Sequence, residues 1–270
     1  MKNNYLLLVD NKNLISKLKE ESNITFLFPI KDFTVGFNQA FTLDEIKEEN
    51  AFIFVNRLLD HEGILAFKSL LKNLPSNIKG IVFDDIGVLE VLKTTPNSLV
   101  KILFLNHFNC NFVSINAYLE DCDSALVSTD ITKEEVNTIL EQASKPLVLY
   151  TFGHINIMYS RRKLITNYNE HFQTNAPLVS NLTNDLKQEF KILENEYGTV
   201  IYTGKPFNGL YMRGSKNVLY YLINTVFLSD EEVIDIINSS TDLTAKYDYT
   251  YLSENETIVR IKETNYKKST

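Results

Sequence analysis

"SALVSTDITKEEVNTILEQASKPLVLY", residues 124–150, reads as one complete strand–helix–strand unit. Two short apolar runs, SALVS (124–128) and PLVLY (146–150), bracket a helix-period stretch at 132–143. The runs are continuous rather than alternating, as expected of strands covered on both faces in a parallel sheet. The helix opens on Thr132 with Glu135 three residues on. That is a capping box, in which each residue satisfies the other's unpaired backbone amide. Strand, capped helix and strand in this order make a right-handed crossover between parallel neighbours.

The same rhythm extends outward in both directions. Earlier apolar runs lie at YLLLV (5–9), ITFLF (24–28), AFIFV (51–55), GIVFD (80–84) and KILFL (101–105), with helix candidates at 11–20, 61–74, 86–93 and 112–120. Seven such strands by residue 150 favour closure over an open sheet, with an eighth at LINTVF (222–227) before a helix at 230–239. The second strand is followed only by a short candidate helix at 42–49, opened by Thr42 and Glu45, so the barrel is irregular there. The expected fold class is therefore α/β, an irregular TIM-like (β/α) barrel at 1–240. A small β-rich insertion at about 169–217, leaving the pattern near 160, carries the alternating runs TVIYTG (199–204) and GLYMRG (209–214). It reads as a hairpin excursion over the barrel mouth. The stretch 244–262 alternates as a terminal hairpin of the same domain, ahead of a frayed KKST end.

Composition narrows the function classes. With 270 residues, 44% apolar and 23% charged, the chain is long enough to bury a core without staples. A net charge of −7 supplies no general attraction to nucleic acid, so an RNA contact needs a local basic patch or a partner that brings the RNA. Cys110 and Cys122 lack CxxC spacing, which argues for a reducing compartment and against a disulfide framework or zinc site. The leading MKNNYLLLVD has too short an apolar run for a signal segment, so a cytoplasmic protein with no membrane partner is expected.

In a parallel barrel, ligands sit at the carboxyl ends of the strands. That rule selects Asn56 and Arg57 after strand three, Asp84 and Asp85 after strand four, and Asn106 and His107 after strand five. It adds Ser128, Thr129 and Asp130 after strand six, and Gly153, His154, Tyr159, Ser160, Arg161 and Arg162 after strand seven. Asp84 and Asp85 can share a proton or hold a metal; alternatively Asp85 caps the helix at 86 and Asp84 remains on the rim. His107 can act as acid or base, or be a packed hydrogen-bonder. A guanidinium is never neutral, so Arg57, Arg161 and Arg162 each need a carboxylate from the same rim or an anionic ligand. With three of them, at least one facing an anion is expected. No GxSxG, GxGxxG, GxxxxGK[ST] or HExxH occurs. A Ser160–His154–Asp130 set can be assembled on the rim, as chance allows in most barrels.

Three blocks together carry a resemblance: GIVFDDIGVLEVL (80–92), SALVSTDITKEEV (124–136) and FGHINIMYSRRKLITNY (152–168), with DFTVGF (32–37) and FVNRLL (54–59). In this order and spacing the chain resembles peptidase family U32, the collagenase-like peptidases. The likeness holds at Asp85, Gly87, Ser128, Gly153, Tyr159, Ser160, Arg162, Asn167 and Tyr168. It departs at Thr129 and Asp130, where the family has arginine and glutamate, and at Phe152, where it has histidine. It also departs at Arg161, a glycine in the family, and at Asn156 and Lys163, its two cysteines. Where family members hold an iron–sulfur cluster, cysteine thiolates are the ligands; two cysteines exclude a four-cysteine cluster within this chain, and no other cofactor is evident.

The resemblance implies either a factor that modifies RNA or a small molecule, or a collagenase-like peptidase (a hydrolase), or a non-catalytic partner subunit of a larger relative. A second family member is an implied partner, with an anionic small molecule or RNA as ligand. Asp84, His107, Asp130, Tyr159 and Ser160 are the expected catalytic candidates. Asn56, Arg57, Arg162, Asn167 and Tyr168 are the expected substrate contacts at an anion-binding barrel mouth.

Overall fold

The computed structural model describes residues 3–238. The chain alternates strand and helix as far as residue 153: β1 (Tyr5–Leu8), α1 (Lys12–Leu18), β2 (Ile24–Pro29), β3 (Ala51–Val55), α2 (His61–Lys72), β4 (Ile78–Phe83), α3 (Ile86–Thr94), β5 (Val100–Leu103), α4 (Phe112–Leu119), β6 (Ser124–Val127), α5 (Lys133–Gln142) and β7 (Leu147–Gly153). An excursion follows, with β8 (Asn156–Ser160), α6 (Leu164–Phe172), β9 (Val179–Thr183), β10 (Glu189–Asn195), β11 (Gly198–Thr203) and β12 (Phe207–Asn208). The chain then returns as β13 (Val218–Asn224) and ends in α7 (Asp230–Asn238).

Strands β1 to β7 pair in parallel in sequence order, and β13 closes the ring by pairing β7 on one side and β1 on the other. The result is a closed eight-stranded parallel barrel. Its strands are largely apolar, Lys79 on β4 and Lys101 on β5 being exceptions, because their inner faces meet each other and their outer faces meet the helices; every residue of β3, β6 and β7 is buried. Side-chain caps set the helix starts. Asn11, Asp60, Asp85 and Asn111 each accept a backbone N–H from the first turn of the following helix. At Thr132 the capping box forms in full, with Thr132 N donating to Glu135 Oε2 at 2.9 Å and Glu135 N to Thr132 Oγ1 at 3.3 Å.

The Thr42–Glu45 box forms too, but the expected helix at 42–49 is a single 3-10 turn, Leu43–Glu45. Beyond Ile46 the next four residues, Lys47, Glu48, Glu49 and Asn50, offer no apolar side chain to bury, so packing cannot extend the turn. The eighth strand runs over 218–224 rather than 222–227, and GLYMRG contains a 3-10 turn, Leu210–Met212, where a strand was expected. The region expected to hold the terminal hairpin, 244–262, lies outside the described residues.

The excursion leaves the barrel earlier than the Tyr-rich alternation indicates. It builds a four-stranded antiparallel sheet, ordered β8–β11–β10–β9, plus the helix α6, rather than one hairpin. Gly153 makes the exit: its φ of +125° is open to glycine alone, and a Cβ there would strike the backbone carbonyl of Asn224. Gly153→Ala should therefore cost about 2–3 kcal/mol. Chemical denaturation checks this, and a midpoint unchanged from wild type would contradict the placement.

Candidate functional site

The carboxyl ends of the barrel strands and the inner side of the β8–β11 sheet enclose a cavity of about 250 Å³. Phe37, Phe54 and Phe104 line its barrel side, and Phe108, Ile157 and Met158 its outer side. Phe108 is 73% exposed, so the cavity reaches solvent. Phe54 stands between its neighbours in two edge-to-face contacts, 5.7 Å from Phe37 and 5.1 Å from Phe104 by ring centroid. These rings are interior positions of the barrel and its loops, held by the same apolar burial that holds the fold.

Of the residues selected from the sequence, Asn56, Asp84, Asn106, His107 and Tyr159 line this cavity together. Asp85 does not join Asp84 there. Its carboxylate caps α3 by accepting Gly87 N at 2.7 Å and holds the preceding loop by accepting Leu59 N at 3.0 Å. Asp84 is left with the cavity. Its Oδ1 is enclosed and accepts no hydrogen bond among the described residues. Burial, with the neighbouring Asp85 charge adding to it, pushes the Asp84 carboxyl well above the usual range. A carboxyl in this position has the chemistry to take up or release a proton near neutral pH, as raised carboxyls in apolar clefts commonly do.

The other polar groups hold the cavity walls. Asn56 pairs with Val35 as a backbone would, Oδ1 accepting Val35 N at 3.0 Å and Nδ2 donating to Val35 O at 3.1 Å. Tyr150 donates its hydroxyl to His154 O at 2.7 Å, Tyr159 to Tyr197 O at 3.2 Å, and Tyr202 to Gly36 O. Desolvation by burial raises the pKa of all three phenols. They are neutral donors aimed at carbonyls.

His107 is engaged on both ring nitrogens. Nδ1 lies 2.6 Å from Asp130 Oδ2 and Nε2 lies 2.8 Å from the carbonyl of Asn156. Both partners accept, so the arrangement is complete only with a proton on each nitrogen, and the Asp130 bond raises the His107 pKa. His107 thus ties the loop after β5 to the loop after β6 and to β8, the strand over the mouth. Because the folded-state pKa is raised, the tie stabilises fully below the unfolded value near 6.5 and is lost as pH rises through the folded value. His107 and Asp130 side chains are 42% and 40% exposed, which limits the effect to about 1 kcal/mol or less. His107→Gln should lower the melting temperature at pH 5.5 and change it little at pH 9; equal losses at both pH values would contradict the ion pair.

The arginines expected at the mouth, Arg57, Arg161 and Arg162, stand outside the cavity lining. Arg57 lies over the ring of Tyr197, 4.1 Å from its centroid, and donates to Asp32 O at 2.6 Å, while Tyr197 donates its hydroxyl to the Asp32 carboxylate. Arg161 pairs with Asp60 at 3.1 Å. One guanidinium reaches from the barrel to the covering sheet and the other from the sheet to the barrel, so the two act as clamps. Arg162 is exposed; its backbone N donates to Ser160 Oγ at 3.1 Å, and its carbonyl accepts Thr199 Oγ1 at 2.9 Å. The physical reason is reach: Tyr197, Asp32 and Asp60 meet these arginines only once the chain has folded.

The remaining selected residues are elsewhere. Ser160, the last residue of β8, is outside the lining. Asn167 and Tyr168 sit on α6 and are exposed, with the Tyr168 ring against Phe172 at 4.8 Å. The chance triad is also taken apart. Asp130 is bonded to His107, whereas His154 is buried with Nδ1 on Thr203 O at 2.7 Å, and desolvation lowers its pKa to about 4. Cys110 and Cys122 stand beyond opposite ends of α4, whose eight residues span about 12 Å, and so do not fit one shared cluster site. Among the described residues no group of three or more His, Cys, Asp or Glu side chains gathers as a metal site. No described helix is long and apolar enough to cross a membrane.

Some wall and strand-end residues escaped the sequence reading. Tyr150 ends an apolar run and Tyr202 sits in an alternating one; a phenol in either place is a polar group needing a partner, and that signal marks both as wall residues. Asp10, after β1, is buried, accepts Asn38 N at 2.7 Å, and is raised by burial to about 6. A charge closing an all-apolar strand was its only sign.

Comparison with known proteins adds kinship. The solved structure of the U32 peptidase Mk0906 superposes over 82% of this chain and 92% of its own with a TM-score of 0.52. At 12% identity that likeness is one of fold. No curated protein matches the chain. The sequence profile of peptidase family U32 matches residues 30–198, more than half of the 270, from the loop after β2 to the first residue of β11. That span carries Asn56, Asp84, His107 and Tyr159, and the chain belongs to peptidase family U32.

Proposed function

We propose that this chain is a modification factor for a small, ring-sized substrate, bound in the barrel-mouth cavity with Asp84 as the group that accepts or delivers a proton. The observation that carries this reading is the unpartnered Asp84 Oδ1 in an aromatic enclosure at the strand ends, where barrel chemistry is assembled. A dry cavity of about 150 Å³ lined by Leu, Ile and Phe suffices for benzene. About 250 Å³ therefore suits one substituted ring and falls below the span of an extended peptide.

The chemistry open to the site is proton transfer, for which a carboxyl displaced toward neutrality is suited. Hydrolysis of a peptide by an activated serine has less support, since Ser160 lies outside the lining and both nitrogens of His107 are engaged. The test compares small metabolites and modified nucleosides by mass spectrometry in cells lacking the gene and in cells complemented with wild type or Asp84→Asn. A product restored by wild type and not by the variant supports the proposal. An unchanged profile, or gelatin cleavage by the purified chain that Asp84→Asn abolishes, would replace it with a peptidase reading.

A further inference from the structure

We infer that the ligand of the barrel-mouth cavity is a planar cation, a ring bearing an amidinium or ammonium group whose N–H atoms meet Asp84. This rests on the cavity being the substrate site, as proposed above, and reverses the charge expected from the arginines.

The hydrogen-bond inventory of the walls points this way. Each lining phenol has a single proton, and all three are engaged on carbonyls, of His154, Tyr197 and Gly36. His107 holds acceptors on both nitrogens. Of the lining side-chain amides, Asn56 Nδ2 donates to Val35 O at 3.1 Å, Asn106 Nδ2 to Thr129 Oγ1 at 3.0 Å and Asn224 Nδ2 to His154 O at 3.2 Å, whereas Asn156, on β8, engages His107 through its backbone carbonyl and keeps its side-chain amide for solvent or ligand. The enclosed group left without a partner is an acceptor, Asp84 Oδ1.

Charge agrees with the inventory. No lysine or arginine contributes to the lining, and the nearby guanidiniums are turned onto Tyr197 and Asp60. An anion entering here would meet a carboxyl with no free guanidinium, and its own charge would be buried unpaired. A cation would meet both a carboxylate and aromatic rings. The edge-to-face set of Phe37, Phe54 and Phe104 offers ring density of the kind that attracts ammonium and guanidinium groups. Entry of a cation favours the ionised form of Asp84, so binding releases a proton wherever the free carboxyl is protonated.

Benzamidine, benzamide and benzoate supply a cation, a neutral ring and an anion of nearly one shape. Calorimetric titration of the full chain with each, at pH 5 and pH 8, should show benzamidine binding at least about tenfold more tightly than the other two. Binding should weaken at the lower pH, and Asp84→Asn should remove the preference. Benzoate binding as tightly as benzamidine, or benzamidine binding unchanged in Asp84→Asn, would overturn the cation assignment. Benzamide binding alone would also overturn it while leaving the cavity standing as a ligand site. If none of the three binds, the cavity reading fails and the cation assignment fails with it.

Discussion

An Asp84→Asn protein is expected to be both less active and more stable than wild type. Asparagine keeps the shape of the side chain but neither carries a proton at neutral pH nor supplies a charge for a cationic substrate. Loss of a general acid or base commonly costs about 10²–10⁴-fold in rate, and the gene-dependent product should fall accordingly. Stability moves the other way. Burial raises the Asp84 pKa, so its contribution is complete below the unfolded value of 3.8 and is lost as pH rises through the folded value. Above that value the wild type bears a buried unpaired charge, and the variant, free of it, should gain about 1–3 kcal/mol. Melting curves of both proteins from pH 4 to pH 9 should start together and then diverge, with the variant higher. A variant that melts lower throughout would show that the carboxylate has a partner and is structural.

Glu194→Ala should be the most damaging substitution outside the barrel. Glu194 is 4% exposed and lies on β10, where its two oxygens serve the start of α6. Oε2 accepts Ile165 N at 2.7 Å and Thr199 Oγ1 at 2.7 Å; Oε1 accepts Thr166 N at 3.0 Å and the Thr166 hydroxyl. Lys163, at the N-cap position, provides no side-chain cap, so the helix start depends on this carboxylate and on Thr199. Alanine would strand two backbone amides and the Thr166 hydroxyl, while the single Thr199 proton still has the Arg162 carbonyl, a loss of about 3–5 kcal/mol. Burial opposes ionisation of Glu194, but the bonds from Thr166, Thr199 and Ile165 prevail and hold its pKa below the usual value. Its stabilisation is therefore present above the unfolded value of 4.5 and disappears as pH falls through the folded one. Denaturant unfolding gives the size of the loss. Hydrogen exchange at Leu164, Ile165 and Thr166 gives its place, and unchanged protection there would contradict the assignment.

The strands were legible because continuous apolar runs can only be buried on both faces, and the capping boxes because their residues are neighbours in sequence. What followed the boxes was less legible: Thr132 leads into Val136, Ile139 and Leu140, which reach the core, whereas Thr42 leads into charged residues and stops. In the site, the strand-end rule brought Asn56, Asp84, Asn106 and His107 to one cavity without any knowledge of contacts. It failed on the arginines because a guanidinium shows its charge in the sequence but not its counter-group. Asp60 is 101 residues from Arg161. The aromatic lining was hidden for another reason: Phe54 and Tyr150 read as ordinary core, and only the closed ring shows that one side of that core faces a space.

The seam of the ring joins the first strand to the last, with Tyr5 beside Tyr221 and Leu8 beside Asn224. On the ribosome, β1 therefore waits for more than 200 residues before its second neighbour exists. Contacts this distant slow folding, and a nascent chain keeps the flank of β1 exposed until β13 emerges. By then the residues of the covering sheet are already made and can pair among themselves. Truncations that end before residue 218 should thus yield chains with an unsealed β1 edge, open to pairing with the same edge of another copy.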